Sequence, residues 1–283
     1  MKLSVVVPLY HDYHFDDIVA SYAWQTIKED YEVIFMLTGK NPSPLEVTLK
    51  RVAGEHGLPW VVKTVSAMSN CHSRNDGMKL VTGDAVLFID GDQILAPDLF
   101  HKHWLAHSQS NNMVGIGICN INVVRYTDSM EVWIPYKENV KQRISSPDCL
   151  SFVKNLTLSQ ATEYAWWHNR SNFTDYINVV GRNVSVSKNK FIEIGMWDED
   201  FCYAEVTNSR GWEDTELALR AFRAGLQFAM VPSWTVHLEH PRMNKDAGLE
   251  NAVKLARKHR WFFDSRPDWW QTRYNIEQIR KML

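Results

Sequence analysis

Two pairs of carboxylates carry the chemistry legible in this sequence. The first is Asp90 and Asp92, separated by Gly91 at the end of the apolar run Ala85–Ile89. Asp-x-Asp puts two hard oxygen ligands within reach of one divalent cation, and a glycine between them lets a bulky diphosphate approach the backbone. The same triplet also makes a good turn, so on its own it leaves both readings open. The second pair is Glu213 and Asp214, directly after Gly211-Trp212. Acids at a helix start satisfy the macrodipole, which is the ordinary reason to find them there. A carboxylate in that place with a large ring beside it also suits a general base facing a sugar. Further on, His237, Glu239 and His240 follow Pro232. A lone histidine is more often a hydrogen-bonded polar residue than a ligand, but imidazole together with carboxylate suits Mn²⁺.

The segments that must hold these groups alternate. Leu3–Pro8, Tyr31–Leu37, Trp60–Val65 and Ala85–Ile89 are short apolar or β-branched runs. Between them, Asp16–Ile27, Leu45–His56 and Asn70–Leu80 have helical spacing, and Gly57 is a helix stop. Strands alternating with helices indicate βαβ units and a parallel sheet covered on both faces. Asp90 and Asp92 then fall at the carboxyl end of a strand, where open α/β sheets collect their ligands.

Pro97–Gln109 is a helix with His101, His103 and His107. His103 and His107 share a face, but no third ligand is evident, which favours a solvated helix over a metal site. In residues 211–225, Leu217, Ala218, Ala221 and Phe222 form an apolar stripe, Glu216 and Arg220 an i,i+4 pair, and Gly225 a stop, so Glu213 and Asp214 occupy the first helical turn. Phe228–Val231 is a short strand before Pro232. Residues 126–173 mix prolines, charges and tryptophans, either as a loop-rich substrate-facing region or as a small insertion. The tail, from Trp261 to Leu283, is aromatic and basic. It either packs back on the core or on a second subunit, which leaves room for a homo-oligomer, or touches a membrane surface. Packing is favoured, because the aromatics form no sustained stripe.

With 283 residues and 45% hydrophobic residues the chain can bury a sizeable core. A net charge of −2 provides no global basic field for nucleic acid. No window reaches the run of about eighteen apolar residues that a membrane span needs, and the amino terminus lacks a cleavable signal, so the expected location is cytoplasmic. Cys71, Cys119, Cys149 and Cys202 are scattered without a C-x-x-C pair, which predicts reduced, buried thiols.

In their order and spacing these pieces resemble a GT-A-fold nucleotide-sugar glycosyltransferase of glycosyltransferase family 2. The later part is also similar to the galactosyltransferase-type segment of polypeptide N-acetylgalactosaminyltransferases. The resemblance spans roughly residues 3–100 and 176–241. Val5-Val6-Val7-Pro8-Leu9-Tyr10 looks like the first strand, whose following residues line the nucleotide. Ser73-Arg74-Asn75-Asp76-Gly77 resembles the helix before the metal strand, and Ile89-Asp90-Gly91-Asp92 with Pro97-Asp98 the Asp-x-Asp motif and its proline. Gly181-Arg182-Asn183 and Gly195-Met196-Trp197-Asp198-Glu199 look like the acceptor-side strand and its turn. Glu213-Asp214 matches the family's acid pair, and His237 falls where related transferases place a metal-binding histidine. One departure is the end of the second strand, where the family's uracil-holding aspartate is replaced by Thr38-Gly39. The Thr38 hydroxyl or backbone groups would have to serve instead.

The resemblance implies an α/β fold, with a Rossmann-like, mostly parallel central sheet flanked by helices and an irregular acceptor-side region. It implies one domain, in which residues 1–110 are the nucleotide half, 111–260 the acceptor-side half and 261–283 a C-terminal aromatic and basic helix. The activity implied is transfer of a sugar from a nucleoside diphosphate donor, UDP-linked by first choice, to a hydroxyl acceptor. Asp90, Asp92 and His237 would hold Mn²⁺ or Mg²⁺. Pro8, Tyr10, Thr38, Arg74, Asn75, Asp90, Gly91 and Asp92 would bind the nucleotide sugar. Asp214, beside Glu213, would be the base of an inverting reaction, and Trp166, Trp167, Trp197 and Trp212 would offer ring faces to the acceptor. Arg74 and Arg182 could face phosphate. The rival readings are a retaining transferase with the same metal set and a nucleotide-sugar-binding protein without turnover. The presence of both acid pairs argues against the second.

Overall fold

The structure, a computed structural model, describes residues 1–10, 15–38, 43–66, 69–125, 129–134, 140–144, 148–164, 181–201, 211–239, 248–267 and 276–283. Its first half is the alternation expected: β1 (Leu3–Leu9), α1 (Phe15–Ala23), β2 (Tyr31–Leu37), α2 (Ser43–His56), β3 (Trp60–Thr64), α3 (Asn70–Met78), β4 (Ala85–Phe88), β5 (Gln93–Leu95) and α4 (Leu99–Gln109). Then come β6 (Met113–Arg125), β7 (Met130–Ile134), β8 (Val140–Ile144), α5 (Cys149–Asn155), α6 (Leu158–Tyr164), β9 (Val184–Ser187) and α7 (Lys188–Glu193). The last part holds α8 (Glu213–Arg223), β10 (Gln227–Leu238), α9 (Gly248–Lys258), α10 (Arg260–Ser265) and α11 (Ile276–Met282).

The strands form one mixed sheet in the order β3-β2-β1-β4-β9-β6-β10-β5, with β7 on β6 and β8 on β7. β3, β2, β1 and β4 run parallel, as do β6 and β10, while β9 lies antiparallel between β4 and β6. All of β1 and β4 and all but the first residue of β2 are buried. That is the pattern of strands covered by helices on both faces. Alternate residues of β1 divide between the faces: Leu3, Val5, Val7 and Leu9 join a core that includes residues of α1, α2, α4, α5 and α6. Val6 joins a second core with residues of α3, α7 and α8. A third cluster packs Leu219 of α8 against Ala252, Leu255, Phe262, Phe263 and Ile279.

Several boundaries differ from the sequence expectation, each for a local reason. α1 ends at Ala23 because the chain turns to pair with the segment before α4: Gln25 Nε2 and the Thr26 amide donate to the carbonyls of Ala96 and Pro97, both at 2.9 Å. Pro232 does not end its strand. The register of β10 on β6 shifts between Val231 and Trp234, so the residue without an N–H sits in an irregularity and pairing resumes to Leu238. Residues 126–173 are less irregular than expected, since β7, β8, α5 and α6 occupy much of them. Among its described residues the tail holds the helices α10 and α11. Of its described aromatics, Phe262 and Phe263 are buried, and the Trp261 ring stacks on Phe222 with centroids 5.9 Å apart.

The cysteine expectation needs correction. Cys119 and Cys149 are buried and form no disulfide, but Cys71 of α3 is disulfide-bonded, with its partner outside the described residues. Spacing alone could not reveal a pairing that tertiary contact creates. Among the described residues no helix is long and apolar enough to cross a membrane.

Candidate active site

The carboxyl ends of β1, β2 and β4 meet at one edge of the sheet. Leu9 pairs with Leu37, the Thr38 amide donates to the Leu9 carbonyl at 3.0 Å, and the Ile89 amide donates to Val6 at 3.2 Å. Pro8, Tyr10, Thr38 and Asp90–Asp92 therefore gather as the sequence implied, with Tyr10 exposed and Thr38 buried. Gly91 also has a structural reason to be glycine. A Cβ there would stand 2.7 Å from the Pro8 carbonyl oxygen and 3.0 Å from Leu9 Cα. The glycine makes room for β1.

β5 starts directly after Asp92 and runs antiparallel to β10, with Gln93 opposite His237. That register sets His237 Nε2 3.2 Å from Asp92 Oδ2, and the Leu238 amide on the Asp92 carbonyl at 3.1 Å closes the junction. Glu239 faces the other ring nitrogen, Nδ1, at 3.7 Å, as outer carboxylates orient ligating histidines. Among the described residues no three His, Cys, Asp or Glu side chains gather as a group that could hold a metal ion. Two side chains of ligating type do converge, the Asp92 carboxylate and the His237 imidazole. This fits a cation that takes most of its coordination from substrate phosphates, as Mg²⁺ and its relatives do.

Asp90 has different partners. Arg74, almost wholly buried on α3, donates from Nη2 to Asp90 Oδ1 at 2.6 Å, and Arg182 Nε lies 3.8 Å from Asp90 Oδ2. Arg74 Cζ lies over the Trp197 ring, 4.4 Å from its centroid, and Nη2 also points at the Gly181 carbonyl at 3.5 Å. From the same residue, the Gly181 amide donates to Asp214 Oδ1 at 2.9 Å. A Cβ on Gly181 would stand 2.7 Å from Arg74 Nη2 and 2.8 Å from Asp214 Oδ1, so only glycine lets these two side chains close on it. Gly181 and Arg182 are thus central to the site. The sequence placed Gly181-Arg182-Asn183 on the acceptor side and turned Arg182 toward phosphate; the seat of Gly181 between Arg74 and Asp214 comes from the placement of β9 beside β4.

α8 begins at Glu213, so Glu213 and Asp214 do open the helix, half-buried. Burial pushes the Asp214 carboxyl up to about 6, against the pull of Arg74, the Gly181 amide and Arg182 and with a further push from Asp90. Burial and the neighbouring Asp214 push Glu213 up to about 8. Like charges in a poorly solvated place oppose ionisation, and an acid tuned toward neutrality is what proton transfer at physiological pH requires.

Other expectations are corrected. Trp197, 2% exposed, has its ring packed on Phe88, Phe191 and Arg74, which leaves no face for a sugar. Asn75 spends its amide on the backbone of Trp197 and on Glu199, at 2.9 to 3.2 Å, so it staples the turn at 197–199 rather than reaching for a nucleotide. Trp212 stays half-buried, packed against the cluster of α9–α11. Trp166 and Trp167 lie outside the described residues. The histidine helix is not solvated along its shared face. His103 binds Ser185 Oγ at 2.7 Å and Asn183 Oδ1 at 2.8 Å, and His107 reaches the same Ser185 Oγ at 2.8 Å. Because Asn183 Nδ2 donates to the Ile118 carbonyl, its oxygen accepts from His103 Nε2–H; the neutral His103 Nδ1 then accepts from Ser185, which accepts from His107. Both histidines are neutral, burial pressing them down to about 3 and about 4.

The chain matches the family described as Glycosyltransferase like family 2 over residues 4–247. It is similar to the uncharacterized glycosyltransferase YfnE of Bacillus subtilis (strain 168), 23% identical over 271 residues, covering 85% of this chain and 66% of that protein. It is similar also to the poly(ribitol-phosphate) beta-glucosyltransferase of Bacillus spizizenii, 28% identical over 116 residues, covering 39% of this chain and 18% of that protein. The chain thus spans about two thirds and about a fifth of the lengths of these curated relatives. Among solved structures, GalNAc-T7 with UDP, GalNAc and Mn²⁺ has a TM-score of 0.63 at 14% identity, covering 94% of this chain and 50% of that one. S. aureus TarS 1–349 in complex with UDP-GlcNAc has a TM-score of 0.57 at 14% identity, covering 98% of this chain and 77% of that one. These likenesses show the fold, a GT-A arrangement.

Proposed function

The chain belongs to glycosyltransferase like family 2, and on that premise we propose that it transfers a sugar from a UDP-linked donor to a hydroxyl acceptor, with inversion and with Asp214 as the base. One observation carries the proposal. The Arg74 guanidinium holds Asp90 at 2.6 Å and meets Asp214 across Gly181, so the acid suited to take a proton and the strand end suited to meet a diphosphate face one place. UDP as the nucleotide is supported by the GT-A neighbours, whose structures contain UDP and UDP-GlcNAc.

Asp92 and His237 are the residues that would hold Mn²⁺ or Mg²⁺, which when bound neutralises charge on a leaving diphosphate. Asp90, fixed by two arginines, is left to the ribose side of the donor. Thr38 and Tyr10, at the ends of β2 and β1, are in place for the base. Asp214 is held through Oδ1 by the Gly181 amide. Its carboxylate takes the proton of the acceptor hydroxyl as that oxygen attacks the anomeric carbon from the face opposite the diphosphate. Arg74 keeps the base from rising further out of its ionised form. Half-buried Trp212, next to the acids, is the remaining ring for the acceptor sugar.

The direct test is a panel of UDP-GlcNAc, UDP-GalNAc and UDP-glucose with Mn²⁺ present, scored by thermal shift and by release of UDP. At least one donor should raise the melting temperature and be slowly hydrolysed. Indifference to all three, and to UDP itself, would overturn the reading.

A further inference from the structure

The family match ends at residue 247, yet the helix that follows grips the acid-bearing helix at two points. The first grip is Asn251 of α9, which is wholly buried. Its Nδ2 donates to the carbonyls of Phe201 and Gly211, each at 3.1 Å. Those two carbonyls bracket residues 202–210, so one side chain fixes where the chain returns to start α8. The second grip is at Glu216, one turn beyond the start and also wholly buried. Its Oε1 receives Lys258 Nζ at 2.8 Å and His259 Nε2 at 3.2 Å, from the last residue of α9 and the one after it. Glu213 and Asp214 lie between the grips.

From Glu216 the contacts run on toward the other half of the site. Arg220 donates Nε to both Glu216 oxygens at 2.8 Å, donates Nη1 to the Ile194 carbonyl, and donates Nη2 to the Met196 carbonyl at 2.6 Å. The next residue, Trp197, is the one that carries Arg74. Lys258 also pairs with Asp198 of the same turn.

α8 needs outside support because its own start is weak. Trp212 stands at the cap position with φ 79° and makes no side-chain cap bond, and Gly211 before it has φ 72°. A left-handed entry without a capping side chain lacks the bond that ordinarily fixes a helix start. The direction of the two acids is then set by tertiary anchors. We propose that α9, through Asn251, Lys258 and His259, is a positioning element for the base, fixing the Asp214 carboxylate against the donor without touching a substrate. The proposal rests on the reading of Asp214 as base.

The test compares Asn251→Ala, Lys258→Met, Lys258→Arg and Asp214→Asn in the full chain, using the UDP-sugar from the panel that is hydrolysed fastest. Rates of UDP release, Kd for UDP and melting temperature are read together. A misplacement of about 1 Å costs on the order of 10²-fold in rate. Asn251→Ala and Lys258→Met should therefore slow UDP release at least about tenfold while Kd for UDP stays within about twofold, and Lys258→Arg should recover most of the rate. The positioning role is overturned if both variants release UDP at the parent rate, if rate, affinity and melting temperature decline together, or if arginine fails to rescue. Asp214→Asn separates the two levels. A parent-like rate there removes the base reading and this proposal with it, whereas a slow Asp214→Asn beside fast α9 variants removes only this one.

Discussion

His237 stands 3.2 Å from Asp92, Nε2 to Oδ2, because β10 runs antiparallel to β5 with His237 opposite Gln93. Two polar side chains far apart in sequence are fastened side by side at the strand end where a diphosphate would sit. Calorimetry with UDP should accordingly show binding that a chelator greatly weakens and that Asp92→Ala and His237→Ala weaken likewise. Binding of UDP unaffected by the chelator and both variants would remove the metal from this place.

Asp214→Asn preserves size and the bond from Gly181 but cannot take a proton. Turnover should drop by roughly 10²-fold or more while UDP binding persists. NMR of the first-formed product from an active donor–acceptor pair should show the opposite anomeric configuration to the donor. Retained configuration would assign the chemistry to a different mechanism.

The base must be ionised to act. With Asp214 raised to about 6, activity should climb with pH through about 6 and be lost below it, well above the range of an ordinary aspartate. Arg74 holds that value down, so Arg74→Met should move the ascending limb upward as well as lower the rate. A pH–rate profile flat from 5 to 8 in the parent protein would show that no such group governs turnover.

His103 and His107 make a prediction about stability rather than rate. Their folded values, about 3 and about 4, lie below the ordinary 6.5, so the unfolded chain binds more protons between these limits. The stability these two histidines contribute is fully present above about pH 6.5 and is lost as the pH drops toward about 3, by an amount on the order of a few kcal/mol. Glu216 adds a separate loss at lower pH. Burial opposes its charge, but His259, Arg220 and Lys258 hold it down to about 2, so its contribution is lost only between about 4.5 and about 2. Glu213 and Asp214, raised to about 8 and about 6, act in the opposite sense over this range, so the histidine contribution is read as a comparison: the change in urea midpoint from pH 7.5 to pH 5 should be less favourable in the parent protein than in His103→Gln. Equal slopes in the two proteins would assign the acid sensitivity elsewhere.

Much of the site's chemistry was readable from local sequence, because strand and helix periodicity are local properties. The buried run Ala85–Ile89 had to be a covered strand, and Asp90 and Asp92 had to follow it at its carboxyl end; the stripe from Leu217 to Phe222 likewise placed Glu213 and Asp214 in the first turn of a helix. Which groups those acids would face was decided only by the tertiary structure. Arg74 lies over Trp197 and joins Asp90 to Asp214 because β9 inserts between β4 and β6 and brings Gly181 with it, a matter of strand order that no spacing in the chain expresses. The same is true of Trp197 and Asn75, whose residue types suit a binding site but whose packing makes them core. It is true again of Asn251, Lys258 and His259, ordinary polar residues on a late helix until folding sets them on α8. Residue type and periodicity determine what an element is and which chemistry it can carry; long-range burial and register determine which partner each charge meets, and so which of the candidates can act together.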